Sequence, residues 1–397
     1  MISRRQLMLL GIAAWVAVPV GAQEVKFHGQ VRPRYEARDP AATGLKDFTS
    51  MRVRATMETL LEDDVRVFIQ IQDVRLFGEE THPLFDFNAD NFDLHQGYAE
   101  LGNFIEAEWA VRVGRQETNL GGQRLVGAVG WTQQAQSFDG ARVRTRGDWG
   151  TLDFVAYKTA ELGASAAATS DSELLGAYAT FKTGDSGALD LFVLYQTVDA
   201  VATTDEATLG FRWAGRSGIW SYRAESAVQV GDRAGEDVSA YMYGARLGAD
   251  VAEGKGTVTL WYDYLSGDDD PTDGDAGVFQ TINGTNHKFY GLADLFLNIP
   301  AHTAGLGLQD FALKGMLRVN SDFRVGLDLH SFRLAEQGGI SSAHLGEEVD
   351  VTGWYRHTGN VSFQGGVSFV SQDYAMAEIG RLTENLWWGY LMMTVGF

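Results

Sequence analysis

The sequence predicts an all-β protein: a single transmembrane antiparallel β-barrel of about 18 strands, of the outer-membrane porin type. Three observations support this prediction. Apolar and polar residues alternate with a period of two from residue 25 to the C-terminus, as in strands with one polar face. Short glycine-containing turns alternate with long connections. The last segment, LWWGYLMMTVGF, is an apolar strand of the length that crosses a bilayer.

The first 22 residues have the features of a secretory signal peptide, which is not part of the barrel. Arg4 and Arg5 form a positive region, the following residues 7–20 are mostly apolar, and Val20-Gly21-Ala22 is a small-residue cleavage site. Residues 23–397 are therefore expected to form the mature barrel as one domain. The arginine pair weakly resembles a twin-arginine signal, but an ordinary Sec signal is the favoured interpretation.

The first predicted strands show the alternation directly. Residues 25–38 place apolar side chains on one face and charged or amide side chains on the other, and residues 51–58 and 65–72 repeat this pattern. The last strand behaves in the same way, with its side chains divided between two faces. Trp387, Leu391, Met393, Val395 and Phe397 form one face, and Trp388, Tyr390, Met392, Thr394 and Gly396 form the other. We expect this strand to pair with the first and close the sheet, which leaves no free edge.

The connections between strands fall into two classes. Short turns are predicted at 102–103, 147–148, 184–187, 215–218, 253–254 and 359–360, and long connections at 77–92, 119–135, 161–172, 199–205, 231–236, 267–308, 336–346 and 372–385. Outer-membrane barrels have short periplasmic turns and longer extracellular loops. Loop 267–308 is therefore predicted to be extracellular. Its aromatic part, Asn286 to Pro300, is predicted to fold inward and pack.

A soluble β-sandwich would also show alternation and turns. Three features favour the barrel: many similar strands without a linker, polar side chains recurring on the inferred inner faces, and aromatic residues near strand ends. Those aromatic residues are expected to form girdles at the membrane interfaces. They are Trp109, Trp149, Trp213, Trp220, Trp261, Trp387 and Tyr390.

Composition narrows the classes of function. The net charge of −20, which becomes −22 without Arg4 and Arg5, argues against nucleic acid as a partner. There is no cysteine, and no metalloprotease, nucleophile-elbow or P-loop motif. The sequence therefore predicts neither an enzyme nor a cofactor or metal site. The acidic segment 267–275 lacks the spacing of an EF-hand, and a solvated loop is favoured over a calcium site.

Arginine recurs at alternate positions on the inferred inner faces. Such side chains cannot face lipid cheaply, because arginine at the bilayer midplane costs about 2–4 kcal/mol. Rings of arginine or lysine select anions, so the pattern predicts an anion path through the lumen. The alternative is that each arginine pairs with a carboxylate such as Glu58, Glu100 or Asp263 to hold the interior together. The candidate path residues identified from alternation are Arg32, Arg34, Arg52, Arg54, Arg112, Arg142, Arg144, Arg318 and Arg356, and further alternating cations are Arg38, Arg146, Arg212, Lys314 and Arg324.

Several stretches together resemble the alginate export family of outer-membrane proteins. They are residues 68–79, 93–101, 111–117, 123–127 with Trp131, 138–142, 286–294 and 296–300. The resemblance implies an eighteen-stranded monomeric barrel with an arginine-lined constriction for a uronate polymer, such as alginate. Through its matching stretches it adds Arg115, Glu117, Asp139 and Lys288 to the candidate site. By strand parity Arg115 falls on the opposite face from Arg112, which requires a bulge or a loop position for one of them.

The expected location is the outer membrane of a Gram-negative-type bacterium. Expected partners are anionic polysaccharides or small organic anions, outer-membrane lipid, the barrel assembly machinery and, less directly, periplasmic secretion proteins. Two alternatives stay open: a general porin, and a non-transporting barrel that serves as an adhesin or scaffold.

Overall fold

The computed structural model describes residues 24–40, 44–61, 64–79, 92–105, 108–160, 171–199 and 203–397. The predicted signal peptide lies outside the described residues, as do parts of the predicted long connections 77–92, 161–172 and 199–205. Within the described ranges, no helix has the length and apolar character needed to cross a membrane.

Eighteen strands form a closed antiparallel barrel, which confirms the predicted fold. A two-residue strand, β14, lies inside a loop and pairs with β12 in parallel. The strands are β1 Val25–Pro40, β2 Lys46–Leu61, β3 Val65–Leu76, β4 Phe92–Leu101, β5 Trp109–Gln116, β6 Phe138–Gly147, β7 Gly150–Ala160, β8 Asp171–Lys182, β9 Ala188–Asp199, β10 Thr204–Ser217, β11 Trp220–Arg233, β12 Glu236–Val251, β13 Gly256–Leu265, β14 Asp275–Ala276, β15 Leu308–Arg318, β16 Phe323–Arg333, β17 His344–Arg356, β18 Val361–Gln372 and β19 Leu386–Gly396. Two short helices, α1 (Ile299–His302) and α2 (Tyr374–Glu378), lie in connections.

The last strand closes the barrel against the first, as predicted. Val395 stands opposite Val31, and the Gly29 amide donates to the Phe397 carbonyl at 2.8 Å. The Phe397 side chain is 66% exposed, so the terminal residue is held mainly through its backbone.

The large apolar side chains of the strands lie mostly on the outside. In β12, Tyr241, Tyr243 and Leu247 are exposed, whereas the alternating Met242 and Arg246 are buried. A soluble β-sandwich buries its large apolar side chains, whereas here they are exposed. This distribution is typical of a lipid-facing barrel surface. The prediction that Trp261 and Tyr390 belong to the interfacial girdles is wrong, because both side chains point into the barrel interior. There Trp261 contacts Phe289, and Tyr390 contacts Trp131.

Short and long connections alternate between the two ends of the barrel. The turns at one end include 218–219, 252–255, 319–322 and 357–360, and we call this end the short-turn mouth. The opposite end carries 117–137, 266–307, 334–343 and 373–385, and corresponds to the extracellular side of outer-membrane barrels. One connection differs from prediction: 231–236 is a tight turn at Ala234 and Gly235, because β11 and β12 extend further than expected.

Two of the long connections fold into the barrel. We call 117–137 inner loop 1 and 266–307 inner loop 2. Their backbones pair directly, since the Gly127 amide donates to the Asn283 carbonyl at 3.0 Å and the Asn283 amide donates to the Leu125 carbonyl at 2.9 Å. An apolar core surrounds this junction, with Phe289 and Phe296 at most 1% exposed. The prediction that Asn286 to Pro300 folds inward is confirmed.

Candidate functional site

The arginines of β1 and β2 bind inner loop 1. Arg32 Nη1 donates to the carbonyl of Gly130 at 2.8 Å, and Arg34 Nη1 donates to the carbonyl of Trp131 at 2.7 Å. Arg52 donates at 3.4 Å to the carbonyl of Gln133 and at 2.6 Å to Gln30 Oε1. Hydrogen bonds from charged donors are among the stronger ones in proteins. These three guanidinium groups therefore hold the loop against the barrel wall.

Arg54 anchors the start of the same loop. Its Nη1 lies 3.2 Å from Glu117 Oε1, and His95 Nε2 lies 2.7 Å from the same oxygen. Burial alone would raise the pKa of Glu117, but the hydrogen bond from His95 and the charge of Arg54 lower that pKa below its usual value. The loop thus enters the barrel at an ion pair between Arg54 and Glu117, which His95 also contacts.

The arginines of β5 and β6 pair with carboxylates. Arg112 Nη2 lies 2.6 Å from Glu100 Oε2, and both Arg142 and Arg144 place Nε at 2.7 Å from Asp153 Oδ1. The Arg142 side chain is only 10% exposed. For these residues the pairing alternative describes the observed contacts.

Arg115 and Asp139 do not face the lumen, and their assignment to the anion path was wrong. The two strands pair without a register shift, so Arg115 follows the parity opposite to Arg112 and stands across from Asp139. Asp139 in turn stands across from Lys158 on β7. The next pair along the strands, Gly140 and Tyr157, faces the opposite side, and Tyr157 is buried in the interior. Asp139 therefore faces outward. Arg115 Nη1 and Asp139 Oδ2 form an ion pair of 2.6 Å on the outer surface, beside the long-loop end of the barrel.

Arg318 and Arg356 lie at the short-turn mouth, far along the barrel from inner loop 1. Arg318 ends β15 with an exposed side chain. Arg356 lies 2.9 Å from Asp322 Oδ1, in the turn before β16. The predicted site residues therefore do not form one constriction; they divide among a loop anchor, carboxylate pairs, the outer surface and a mouth.

Lys288 belongs to a group of cations that strand alternation alone did not assemble. We call it the basic cluster: Arg124 of inner loop 1, Lys288 of inner loop 2, and Arg212, Arg223 and Arg246 of β10, β11 and β12. These side chains converge near Gly122. Lys288 Nζ donates to the Gly122 carbonyl at 3.3 Å, and a methyl group added at Gly122 would lie 3.5 Å from Arg212 Nε and 3.8 Å from Arg223 Nη1.

Three carboxylates partly compensate the basic cluster. Arg124 lies 2.5 Å from Glu225 and 2.9 Å from Asp263, and Arg212 lies 3.0 Å from Asp190. Burial lowers the pKa of Arg124, but the charges of Asp263 and Glu225 raise it well above its usual value. Five cations against three carboxylates leave two positive charges uncompensated.

The excess positive charge lies partly on Arg223, which stands opposite Arg246 across β11 and β12. With the described residues, Arg223 makes no hydrogen bond or ion pair. Arg246 stacks with Cζ 3.1 Å from the Trp261 ring centroid, and its Nη2 lies 3.5 Å from Glu225 Oε1 and 3.5 Å from Asp263 Oδ2, which partly compensates its charge. Like charges opposite each other destabilise a sheet. An anion bound between the two guanidinium groups would offset this repulsion.

Lys288 completes the cluster from the loop side. Its side chain is exposed to the interior. Burial lowers the pKa of the Lys288 ammonium, and the neighbouring charges of Arg223 and Arg212 lower it further. No group of three or more His, Cys, Asp or Glu side chains within the described ranges could hold a metal ion.

The fold is similar to that of solved outer-membrane proteins of Pseudomonas aeruginosa. The chain matches OccK3 (OpdO) at a TM-score of 0.66 with 15% identity, covering 94% of this chain and 96% of that chain. It matches OprD at a TM-score of 0.65 with 11% identity, covering 94% of each chain. A structure of OpdK with vanillate matches at 0.64 with 14% identity, covering 94% and 98%.

Among curated proteins, no sequence match was found. The model of the alginate export family matches residues 23–362, which is most of the chain. Family and fold agree on a channel barrel of the Gram-negative outer membrane. The barrel closure, the inward loops and the family match lead to one conclusion: this chain belongs to the alginate export family.

Proposed function

We propose that the protein is an anion-selective outer-membrane channel whose cargo is an acidic, uronate-type polysaccharide. The observation that carries this proposal is the basic cluster, where Arg223 faces the interior without a compensating partner among the described residues. A unit charge about 4 Å from a guanidinium gains roughly 1 kcal/mol in bulk water and roughly 4 kcal/mol at an effective dielectric near 20. A narrow aqueous passage lies between these limits. Each free cation then increases local anion occupancy by about tenfold.

Guanidinium groups also suit carboxylates chemically. Arginine is always charged and binds a carboxylate through two parallel N–H donors. Asp190, Glu225 and Asp263 temper the field, so an anion that binds the cluster can leave it again. A uronate polymer presents one carboxylate per sugar, which matches a path of separated cations.

A second candidate cargo is a small organic anion. The two inner loops pack on each other inside the barrel and fill part of the lumen, and this favours small solutes over a polymer. The structural neighbour OpdK was solved with vanillate, an aromatic carboxylate, although the likeness to it is one of fold. The same basic cluster would serve either cargo.

The proposal is tested in planar bilayers with a KCl gradient. The wild-type channel is expected to show a reversal potential on the anion side, and its current is expected to be blocked by oligogalacturonate. Block by small carboxylates without block by oligogalacturonate would select the second candidate. A folded barrel without conductance would identify a non-transporting adhesin or scaffold, and conductance without ion preference would identify a general porin.

A further inference from the structure

A second set of cations lies at the short-turn mouth, well away from the basic cluster. Arg318 on β15 stands directly opposite Arg324 on β16, and Arg324 stands opposite Trp354 on β17. The same rung continues through Gln364 on β18 to Met392 on β19. Five neighbouring strands thus present one continuous row of side chains to the interior.

The two arginines of this row, Arg318 and Arg324, are not paired with a carboxylate in the part of the chain that the structure describes. Neither side chain makes a hydrogen bond or ion pair with any residue the structure describes, and both are exposed. The nearby carboxylates are engaged elsewhere: Asp328 lies 2.9 Å from Lys314, and Asp322 lies 2.9 Å from Arg356. Two like charges facing each other across adjacent strands destabilise the sheet unless an anion joins them.

The third member of the row supplies an aromatic surface. Arg324 Cζ lies 4.8 Å from the centroid of the Trp354 ring, and the indole extends over Gly326, where the absent side chain leaves room for it. The opening that these residues line has a volume of about 920 Å³. Pockets for drug-sized ligands span roughly 300–1,000 Å³, so this opening is large enough to hold a sugar residue.

We propose that Arg318, Arg324 and Trp354 form a recognition subsite for an acidic sugar residue, at which an anionic polysaccharide first contacts the channel from the short-turn side. The guanidinium pair binds the carboxylate, and the indole packs against the apolar C–H face of the sugar ring. This inference rests on the proposed anion channel and adds a docking point and a side of entry to it.

The test is block of ion current by three polymers of similar length, added to each chamber in turn: oligogalacturonate, neutral malto-oligosaccharide and polyglutamate. We expect oligogalacturonate to block most strongly, and more strongly from the short-turn side. Arg324→Gln should weaken this block about tenfold. Trp354→Leu should weaken block by oligogalacturonate but leave block by polyglutamate unchanged, because the peptide has no sugar ring.

Arg356→Gln is the matched control, since it removes one arginine from the same mouth whose charge Asp322 already compensates. Block of this variant channel by oligogalacturonate is expected to stay within about twofold of the wild-type value. The subsite proposal is overturned if oligogalacturonate blocks the Arg324→Gln and Trp354→Leu channels as strongly as the wild-type channel. It is also overturned if oligogalacturonate blocks the wild-type channel equally from both chambers. Failure of the proposed function is separate: the wild-type channel would then show no anion preference, whatever happens at the mouth.

Discussion

Arg32 donates a hydrogen bond from Nε to Gln133 Oε1 at 2.9 Å, which joins the barrel wall to inner loop 1. The same guanidinium donates to the carbonyls of Gly130 and Thr132, each at 2.8 Å, and the residue is only 6% exposed. All three guanidinium nitrogens are thus used to hold the loop. Inner loop 1, which also carries Gly122 and Arg124 of the basic cluster, is thus bound to an arginine on the opposite wall.

Replacing Arg32 with alanine should therefore loosen inner loop 1. The loop carbonyls lose their charged donor, and each such hydrogen bond contributes about 1.5–3 kcal/mol. We expect larger single-channel conductance and more open-channel noise. The control is the double variant Arg112→Gln and Glu100→Gln, which removes an interior ion pair that does not hold the loop. Equal noise in the Arg32 variant and this control would contradict the anchoring role.

Deleting residues 270–300 should raise conductance. This segment carries the apolar core of inner loop 2, including Phe279 and Phe289, both 0% exposed. The deletion also removes Lys288, so anion preference should fall at the same time. Deleting only 269–274, which lie in the solvent-exposed acidic part of the loop, is the control and should leave conductance unchanged. Unchanged conductance after the larger deletion would show that the loop stands clear of the ion path.

Removing Phe397 should harm assembly more than it harms the folded barrel. Its side chain is 66% exposed, and its backbone adds only one pair of hydrogen bonds, to Gly29, beyond the end of β19. We expect a low amount of protein in the membrane but near-normal heat resistance of the β-sheet in the fraction that folds. Phe397→Tyr, which keeps the terminal aromatic ring, should assemble normally. Normal membrane levels without Phe397 would contradict an assembly signal there.

Anion preference should decline as pH rises, and Lys288 should cause this. Burial and the charges of Arg223 and Arg212 lower the pKa of Lys288. The ammonium therefore loses its proton at a lower pH than an ordinary lysine, whose pKa is about 10.4. Reversal potentials measured from about pH 7 to about pH 10 should move toward zero in wild type. Lys288→Gln should show a smaller preference at pH 7 and no further decline; a decline equal to wild type would assign the titration elsewhere.

The aromatic composition of Asn286 to Pro300 predicted its inward fold, and alternation along single strands was sufficient to predict the barrel and its closing strand. It was not sufficient to find the basic cluster. Arg223 and Arg246 meet because β11 and β12 pair in one register, and Gly122 reaches them because inner loop 1 crosses the barrel. Pairing register and loop path depend on contacts between distant residues. Parity placed Arg115 and Arg112 on opposite faces, and the family resemblance suggested the lumen for Arg115. The unbroken register of β5 and β6 settles its position on the outside.

The most direct test of the central claim compares two single neutralisations, Arg223→Gln and Arg142→Gln, by reversal potential in a KCl gradient. Each removes one positive charge from an inward-facing strand position. Arg142 is 10% exposed and bound to Asp153, whereas Arg223 has no such partner among the described residues. We predict a clear loss of anion preference for Arg223→Gln, recovery in Arg223→Lys, and little change for Arg142→Gln. Equal reversal potentials for Arg223→Gln and wild type would contradict the basic cluster as the selectivity site.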